Sequence, residues 1–90
     1  PLRLDARCVG AGEALLAFGR DPLPGSGALW NLSPRGETTE AAARLFSGLH
    51  WLDSEGRRLG LIGIAAMQVP HEGLGAAIND RLARAATPRR

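Results

Sequence analysis

The sequence predicts a small α/β domain with a largely parallel sheet of three to four strands and two main helices. Residues 59–69 (LGLIGIAAMQV) are apolar almost without a break, which is typical of a strand that helices cover on both faces. Residues 37–53 before this run and residues 74–86 after it place apolar side chains at helical spacing. Because parallel strands need crossover connections, helices on both sides of a buried strand favour a parallel sheet.

Three shorter segments near the N-terminus are predicted to be strands. Residues 1–5 alternate between apolar and charged side chains and are predicted to form an edge strand. Residues 13–18 (EALLAF) and 28–32 (ALWNL) are apolar segments of strand length. The segments 7–12 and 21–27 contain closely spaced glycines or prolines, so both are predicted to be loops.

The clearest predicted helix spans residues 37–53. Glu37 and Glu40 lie in its first turn, where the positive end of the helix dipole favours carboxylates. Gly56 is predicted to end the helix in the left-handed conformation. The apolar side chains of this segment share an arc of about 140° on a helical wheel, and they are Ala41, Ala42, Leu45, Phe46, Leu49 and Leu52.

The C-terminal part is predicted to be a turn followed by the second helix. Pro70 removes a ladder donor and ends the long apolar strand. The chain then turns at Gly73 into the helix over residues 74–86, which Thr87-Pro88 closes. The third strand, the first helix and the long apolar strand are predicted to form one βαβ unit with a right-handed crossover.

The charge of the chain gives only weak support for nucleic-acid binding. All eleven basic residues are arginine and the formal net charge is +2, so the pI of about 10.0 exaggerates the positive field. Arg57-Arg58 and Arg89-Arg90 are the adjacent basic pairs, and no aromatic residues are interleaved with them. Solvated surface charge is the favoured interpretation, and a phosphate-contacting patch that binds tRNA is the alternative.

Size, cysteine content and hydropathy indicate one cytoplasmic domain. Ninety residues predict a single domain. The longest apolar run is about ten residues, shorter than the ~20 that span a bilayer, so no membrane partner is expected. The single Cys8 cannot form an internal disulfide, which fits a reducing cytosol. The chain begins at Pro1, without an initiator methionine, which favours an excised fragment.

No catalytic or metal site is predicted. His50 and His71 lie far apart in the sequence, and neither has a Cys, Asp or Glu at a spacing typical of metal ligands. None of the serines has the strand–turn–helix context of a nucleophile elbow. The chain itself is therefore expected to be non-catalytic and to hold neither a metal nor a cofactor.

The glycines at the start of the second helix have two interpretations. Gly73 and Gly75 follow a strand, and glycines at a helix N-terminus allow the backbone to approach a phosphate. The third glycine of the dinucleotide fingerprint is missing, however, so tight helix–sheet packing is the favoured interpretation. The alternative is a nucleotide site formed by these glycines with Arg81 nearby.

Trp51 falls on the polar face of the first predicted helix. Aromatic residues are enriched in interaction patches, so Trp51 and its neighbour His50 are candidate interface residues. The alternative is that a loop of the same domain covers the indole.

Arg81 falls inside the apolar arc of the second predicted helix. A buried guanidinium needs a partner, because an unpaired buried charge costs several kcal/mol. Asp53, at the edge of the first helix's apolar arc, is the predicted partner in a structural ion pair. Binding of a ligand or partner by Arg81 is the alternative.

Two segments of the chain carry a family resemblance. Residues 31–53 (NLSPRGETTEAAARLFSGLHWLD) and 72–86 (EGLGAAINDRLARAA) resemble the C-terminal domain of the long-form threonylcarbamoyl-AMP synthases. Those proteins combine a YrdC-like catalytic domain, a linker and a small Rossmann-like module. The matching motifs are Asn31-Leu32-Ser33, Ala41-Ala42, Leu45-Phe46, Leu52-Asp53, Gly73-Leu74-Gly75, Ala77-Ile78 and Asp80-Arg81-Leu82.

The resemblance implies a parent enzyme and a role for this chain. The parent uses L-threonine, bicarbonate and ATP with Mg to make threonylcarbamoyl-AMP, which feeds the threonylcarbamoyladenosine modification of tRNA. Its catalytic residues lie in the YrdC-like domain and linker, which this chain lacks, so none is assigned here. Residues 1–90 are expected to be a single accessory domain whose partner is the catalytic domain of the same polypeptide, with tRNA an indirect partner through the pathway.

Overall fold

The computed structural model describes residues 2–86. These residues form strands β1 (Leu2–Arg3), β2 (Glu13–Ala17), β3 (Leu29–Asn31) and β4 (Gly63–Ala66), and helices α1 (Thr38–Leu59) and α2 (Gly75–Ala86). The predicted α/β class and the order of elements are confirmed. The predictions that involve Pro1, Thr87-Pro88 and Arg89-Arg90 lie outside the described residues.

The four strands form one sheet in the order β1-β4-β2-β3, and every neighbouring pair is parallel. The predicted parallel sheet of three to four strands is therefore confirmed, with β1 at one edge as expected. Strands β3 and β4 are joined through α1, as the βαβ prediction requires, but β2 lies between them. The hand of this crossover stays a prediction.

Both helices cover the same face of the sheet, contrary to the expectation that helices would cover both faces. The side chains of β2 alternate: Ala14 and Leu16 join the core under α1 and α2, which we call the helix-side core. Leu15 and Ala17 point to the opposite face and pack with side chains from the loops, in what we call the loop-side core. Irregular chain can close this face because Leu15 and its neighbours need only a few apolar contacts, which Ala6, Val9, Leu23 and Met67 supply.

Helix α1 is longer than predicted, and β4 is correspondingly shorter. Gly56 does not end the helix: it is buried inside α1, which continues to Leu59. The helix ends at Gly60, whose φ of 73° is left-handed, and the Leu61 amide donates to the Gly56 carbonyl across this cap. The ion pair between Arg58 and Glu55, at 2.7 Å, supports the extra turn.

A side-chain bridge closes the amino-terminal side of the sheet. Arg3 pairs in register with Ala65 of β4, and Glu13 pairs with Gly63 of the same strand. The Arg3 guanidinium reaches across β4 and lies 2.7 Å from the Glu13 carboxylate. It also donates to the carbonyl of Cys8, so the bridge ties the loop between β1 and β2 to both strands.

Within residues 2–86, neither helix is both long enough and apolar enough to cross a bilayer.

Candidate functional site

The carboxyl edge of the sheet is the first place to look for a site, because ligands of open parallel sheets bind there. The side chain of Asn31 joins the ends of β2 and β3: its amide nitrogen donates to the carbonyl of Gly19, and its amide oxygen accepts from the Ser33 amide, both at 2.9 Å. The Ser33 carbonyl accepts from the Gly19 amide, also at 2.9 Å. The polar groups of Asn31 are thus used within the domain.

Ser33 is fully buried just before helix α1 and fixes the start of that helix by hydrogen bonds. Its hydroxyl oxygen accepts from the Glu37 amide at 2.9 Å, and its hydroxyl donates to the Glu40 carboxylate at 2.7 Å. This hydrogen bond, with a smaller contribution from the charge of Arg35, lowers the pKa of the Glu40 carboxyl below its ordinary value. The motif Asn31-Leu32-Ser33 therefore fixes the junction between β3 and α1.

The glycine turn before α2 packs against the first turn of α1. Gly75 is buried, and a Cβ there would overlap with the carbonyl oxygen of Pro70. Gly73 has a left-handed φ of 55°, and a Cβ there would lie 3.3 Å from the Thr38 hydroxyl oxygen. Both glycines thus allow close packing within the domain, but the nearest groups belong to Pro70 and to Thr38 of α1 rather than to the sheet, which the predicted helix–sheet packing required.

A cleft of about 490 Å³ lies between this turn and the N-terminus of α1. Helix N-termini favour anions, but two carboxylates, Glu37 and Glu72, line this cleft. No arginine is among its described lining residues, which are Gly36, Glu37, Thr38, Thr39, Pro70, Glu72 and Gly73.

Arg81 is not brought to the glycine turn. It lies six residues after Gly75, or about 9 Å further along the helix. Its guanidinium lies 4.2 Å above the centre of the Phe46 ring, in a groove between the two helices. Gly73, Gly75 and Arg81 therefore do not form one cluster, and nucleotide binding stays a prediction.

The predicted ion pair between Asp53 and Arg81 is wrong. Asp53 pairs instead with Arg57, one turn along α1, at 3.1 Å. Arg81 is exposed, because the buried contacts of α2 are confined to Gly75, Ile78 and Leu82. The apolar arc of this helix is narrower than its sequence indicates, and the cation–π contact with Phe46 supplies the partner that Arg81 needs.

Trp51 belongs to a surface cluster that the sequence did not predict. Its ring centre lies 5.8 Å from that of Trp30, with the planes tilted by 43°, and it remains 39% exposed. The guanidinium of Arg44 lies 4.8 Å above the Trp30 ring. Trp30 in turn lies against Gly48, where a Cβ would overlap with the indole. We call Trp30, Arg44, Gly48 and Trp51 the aromatic patch.

The sequence contained one signal for this patch. Gly48 lies in the middle of an amphipathic helix, where glycine is about 0.5–1 kcal/mol less favourable than alanine. A mid-helix glycine one turn before a tryptophan indicates that another group approaches the helix closely there. His50, the other interface candidate, is exposed on the same helix.

The arginines of the described part are largely paired. Five form ion pairs with carboxylates, and two more lie over aromatic rings. The adjacent Arg57 and Arg58 are both among the ion-paired set. The charge of Arg57 and Arg58 is therefore partly neutralised by these ion pairs. The two residues do not provide the concentrated positive surface that a phosphate-contacting patch needs.

Comparison with known proteins gives one match. A family model described as "Threonylcarbamoyl-AMP synthase, C-terminal domain" matches residues 4–87. No curated protein and no solved structure matches significantly. The matched range contains the Asn31–Ser33 junction and the glycine turn, so both features belong to the part of the chain that the family model covers.

Proposed function

Because the chain belongs to the family of threonylcarbamoyl-AMP synthase C-terminal domains, we propose that it is a non-catalytic accessory domain, which packs on the catalytic domain of such a synthase and regulates it. The single observation that carries this proposal is the match over residues 4–87, which includes every element of the fold except β1. The setting of this role is the cytoplasm.

The proposal places the chemistry in the YrdC-like domain. That domain consumes L-threonine, bicarbonate and ATP with Mg, and its product serves the threonylcarbamoyladenosine modification of tRNA. The present chain contributes contacts rather than reacting groups. The residues of its two motifs support this role. The polar groups of Asn31 and Ser33, and the backbone at Gly75, contact other parts of the same domain.

Regulation through contact is supported by apolar side chains that the domain leaves on its surface. Phe46 is 55% exposed and Ile62 is 72% exposed, and Trp51 and Leu74 are also exposed. Large apolar side chains at a surface favour association with another protein surface. A second domain of the same polypeptide is the partner that the family implies.

The test compares the full synthase that carries this domain with the same enzyme truncated before Leu2. Pyrophosphate release is measured with L-threonine, bicarbonate and ATP supplied. We expect truncation to lower the rate several-fold, and the 90-residue chain added in trans to restore part of it. An unrelated α/β domain of similar size is the control. Equal rates with and without this chain, fused or in trans, contradict the proposal.

A further inference from the structure

We infer that the aromatic patch is the surface through which this domain docks on the catalytic domain, and that the docking surface there presents a carboxylate to Arg44. This inference rests on the proposed function and names the contact through which it acts.

The patch is assembled at a cost that the core does not require. Trp30 is only partly buried, yet its contact with α1 requires a glycine at position 48. The indole nitrogen of Trp30 is buried and makes no hydrogen bond within the described chain, and a buried polar group without a partner is destabilising. The glycine at position 48 lets the Trp30 indole lie close to the helix, where it contacts the exposed ring of Trp51.

Arg44 supplies the charge that selects the partner. Its guanidinium lies over the face of Trp30, and its charge, after the hydrogen bond from Ser33, helps to lower the pKa of the Glu40 carboxyl one turn earlier, but none of the ion pairs of the described residues includes it. The contact with the Trp30 ring restricts where the exposed guanidinium lies. A carboxylate on the partner would form an ion pair with the Arg44 guanidinium. Buried charge-assisted hydrogen bonds of this kind are about twice as strong as neutral ones.

The residues around the aromatic patch match the usual layout of a protein interface, with an apolar centre and a polar rim. Arg44, Trp51 and Arg58 are spaced by seven residues and therefore share one stripe of α1. Arg58 is paired with Glu55 at 2.7 Å, which gives the rim a neutral ion pair. A tryptophan centre with a polar rim is the arrangement in which binding energy concentrates.

The geometry favours a protein over a nucleic acid as the occupant. Base stacking needs a free aromatic face, and Trp30 offers none because Arg44 lies over its ring and Gly48 lies against it, so of the two tryptophans only Trp51 keeps an exposed ring. Glu55 also pairs with Arg58, so the charge of that neighbouring arginine is partly neutralised toward a phosphate. A protein surface with one carboxylate can pack apolar groups on Trp51 and pair with Arg44 at the same time.

The test uses the fact that Trp30 and Trp51 are the two tryptophans of this chain. The chain and the full synthase are each labelled with 5-fluorotryptophan, and the Trp51 signal is assigned with Trp51→Phe. The solvent isotope shift of that ¹⁹F signal between H₂O and D₂O reports exposure of the ring. We expect a clear shift in the chain alone and loss of that shift in the full synthase. In the synthase, Arg44→Glu should restore it, whereas Arg20→Glu, at an exposed arginine outside the aromatic patch, should not.

Three outcomes overturn the inference. An unchanged isotope shift in the synthase rejects this docking surface, and if truncation still lowers the rate, the accessory function stands without it. Loss of the shift in the chain alone as its concentration rises assigns the patch to self-association. A change of the Trp51 signal on adding tRNA to the chain, with steep salt dependence, assigns the patch to nucleic acid.

Discussion

Arg3 and Glu13 lie on two strands that do not pair with each other, and their side chains meet at 2.7 Å across the strand between them. The carboxylate of Glu13 also accepts from the Gly10 amide at 2.7 Å. Hydrogen bonds from Arg3, and then the one from Gly10, lower the pKa of the Glu13 carboxyl below its ordinary value. Protonation of the Glu13 carboxyl therefore weakens the contacts that hold the β1–β2 loop against the two strands.

The first prediction concerns acid stability. Because the folded-state pKa of Glu13 is lowered, its contribution to stability is complete above the unfolded pKa of about 4.3 and is lost as the pH falls through the folded-state pKa. Glu13→Gln should reduce the stability lost between neutral and acid pH, measured by urea unfolding across that range. Arg3→Met should reduce it too, since it removes the donor. An unchanged pH dependence in both variants would contradict the coupling.

The second prediction concerns the glycine turn. Gly75→Ala should destabilise the domain by about 2–4 kcal/mol, because the new Cβ meets the Pro70 carbonyl, which is backbone and cannot rotate away. Gly60→Ala is the matched control: it has a left-handed φ of 73° but open space around it, and should cost about 1–2 kcal/mol. Urea unfolding measures both. Equal losses would show that the turn is not closely packed.

The third prediction concerns Gly48, where the sign of the stability change on substitution by alanine tests the contact with Trp30. Glycine to alanine inside a helix normally stabilises by about 0.5–1 kcal/mol. At Gly48 the new Cβ overlaps with the rigid indole of Trp30, so Gly48→Ala should instead destabilise by about 1–3 kcal/mol. The near-UV circular dichroism of the tryptophan pair should fall in the same variant. Ser47→Ala, one residue earlier and exposed, should change stability by less than about 0.5 kcal/mol. A stabilised Gly48→Ala with an unchanged spectrum would refute the contact.

The fourth prediction concerns the start of α1. Ser33→Ala removes the acceptor of the Glu37 amide and the donor to Glu40 in a fully buried place, and should cost about 1–3 kcal/mol. The same change should raise the pKa of the Glu40 carboxyl toward its ordinary value, since the largest cause of its lowering is gone. Carboxyl ¹³C NMR titration measures that pKa, and Thr39→Ala on the exposed face serves as control. A Glu40 pKa that does not move would contradict the assigned cause.

The fifth prediction concerns nucleotides. Since Glu37 and Glu72 line the cleft and Arg81 lies elsewhere, ATP or AMP at millimolar concentration should not shift the amide signals of residues 73–77 in the labelled chain. Double replacement of the two glutamates by glutamine tests whether their charge is the obstacle. Saturable shifts confined to residues 73–77 of the unmodified chain would instead support the nucleotide site.

The sequence was sufficient for the class of fold but not for how its layers are arranged. Apolar runs and helical periodicity identify the elements, because these patterns are local. Which face each helix covers depends on strand order, and β4 is inserted between two earlier strands, which no local pattern records. The same limit explains the missed end of α1: Gly56 and Gly60 are both credible stops by composition, and only packing leaves Gly56 inside the helix.

The candidate site was predictable in part. The position of Trp51 on the polar face of the helix makes it an interface candidate, which stays a prediction, but its neighbour Trp30 lies in a strand 21 positions earlier in the sequence. Arg81 and Asp53 were paired by reasoning from helix arcs, which assumed that the whole arc of α2 is buried. A cation–π contact with an exposed phenylalanine satisfies Arg81 in a way that an arc analysis does not anticipate.

The position of β4 has a consequence for the order in which the chain folds. The first strand to be synthesised, β1, has one partner in the sheet, and that partner is the last strand in the sequence. Strands β2 and β3 are neighbours in sequence and can pair before β4 is made, whereas β1 has no strand partner until residues 63–66 are available. Contacts between distant segments of this kind slow folding. Strand β4 therefore fills the gap between β1 and β2 and completes the sheet in one step.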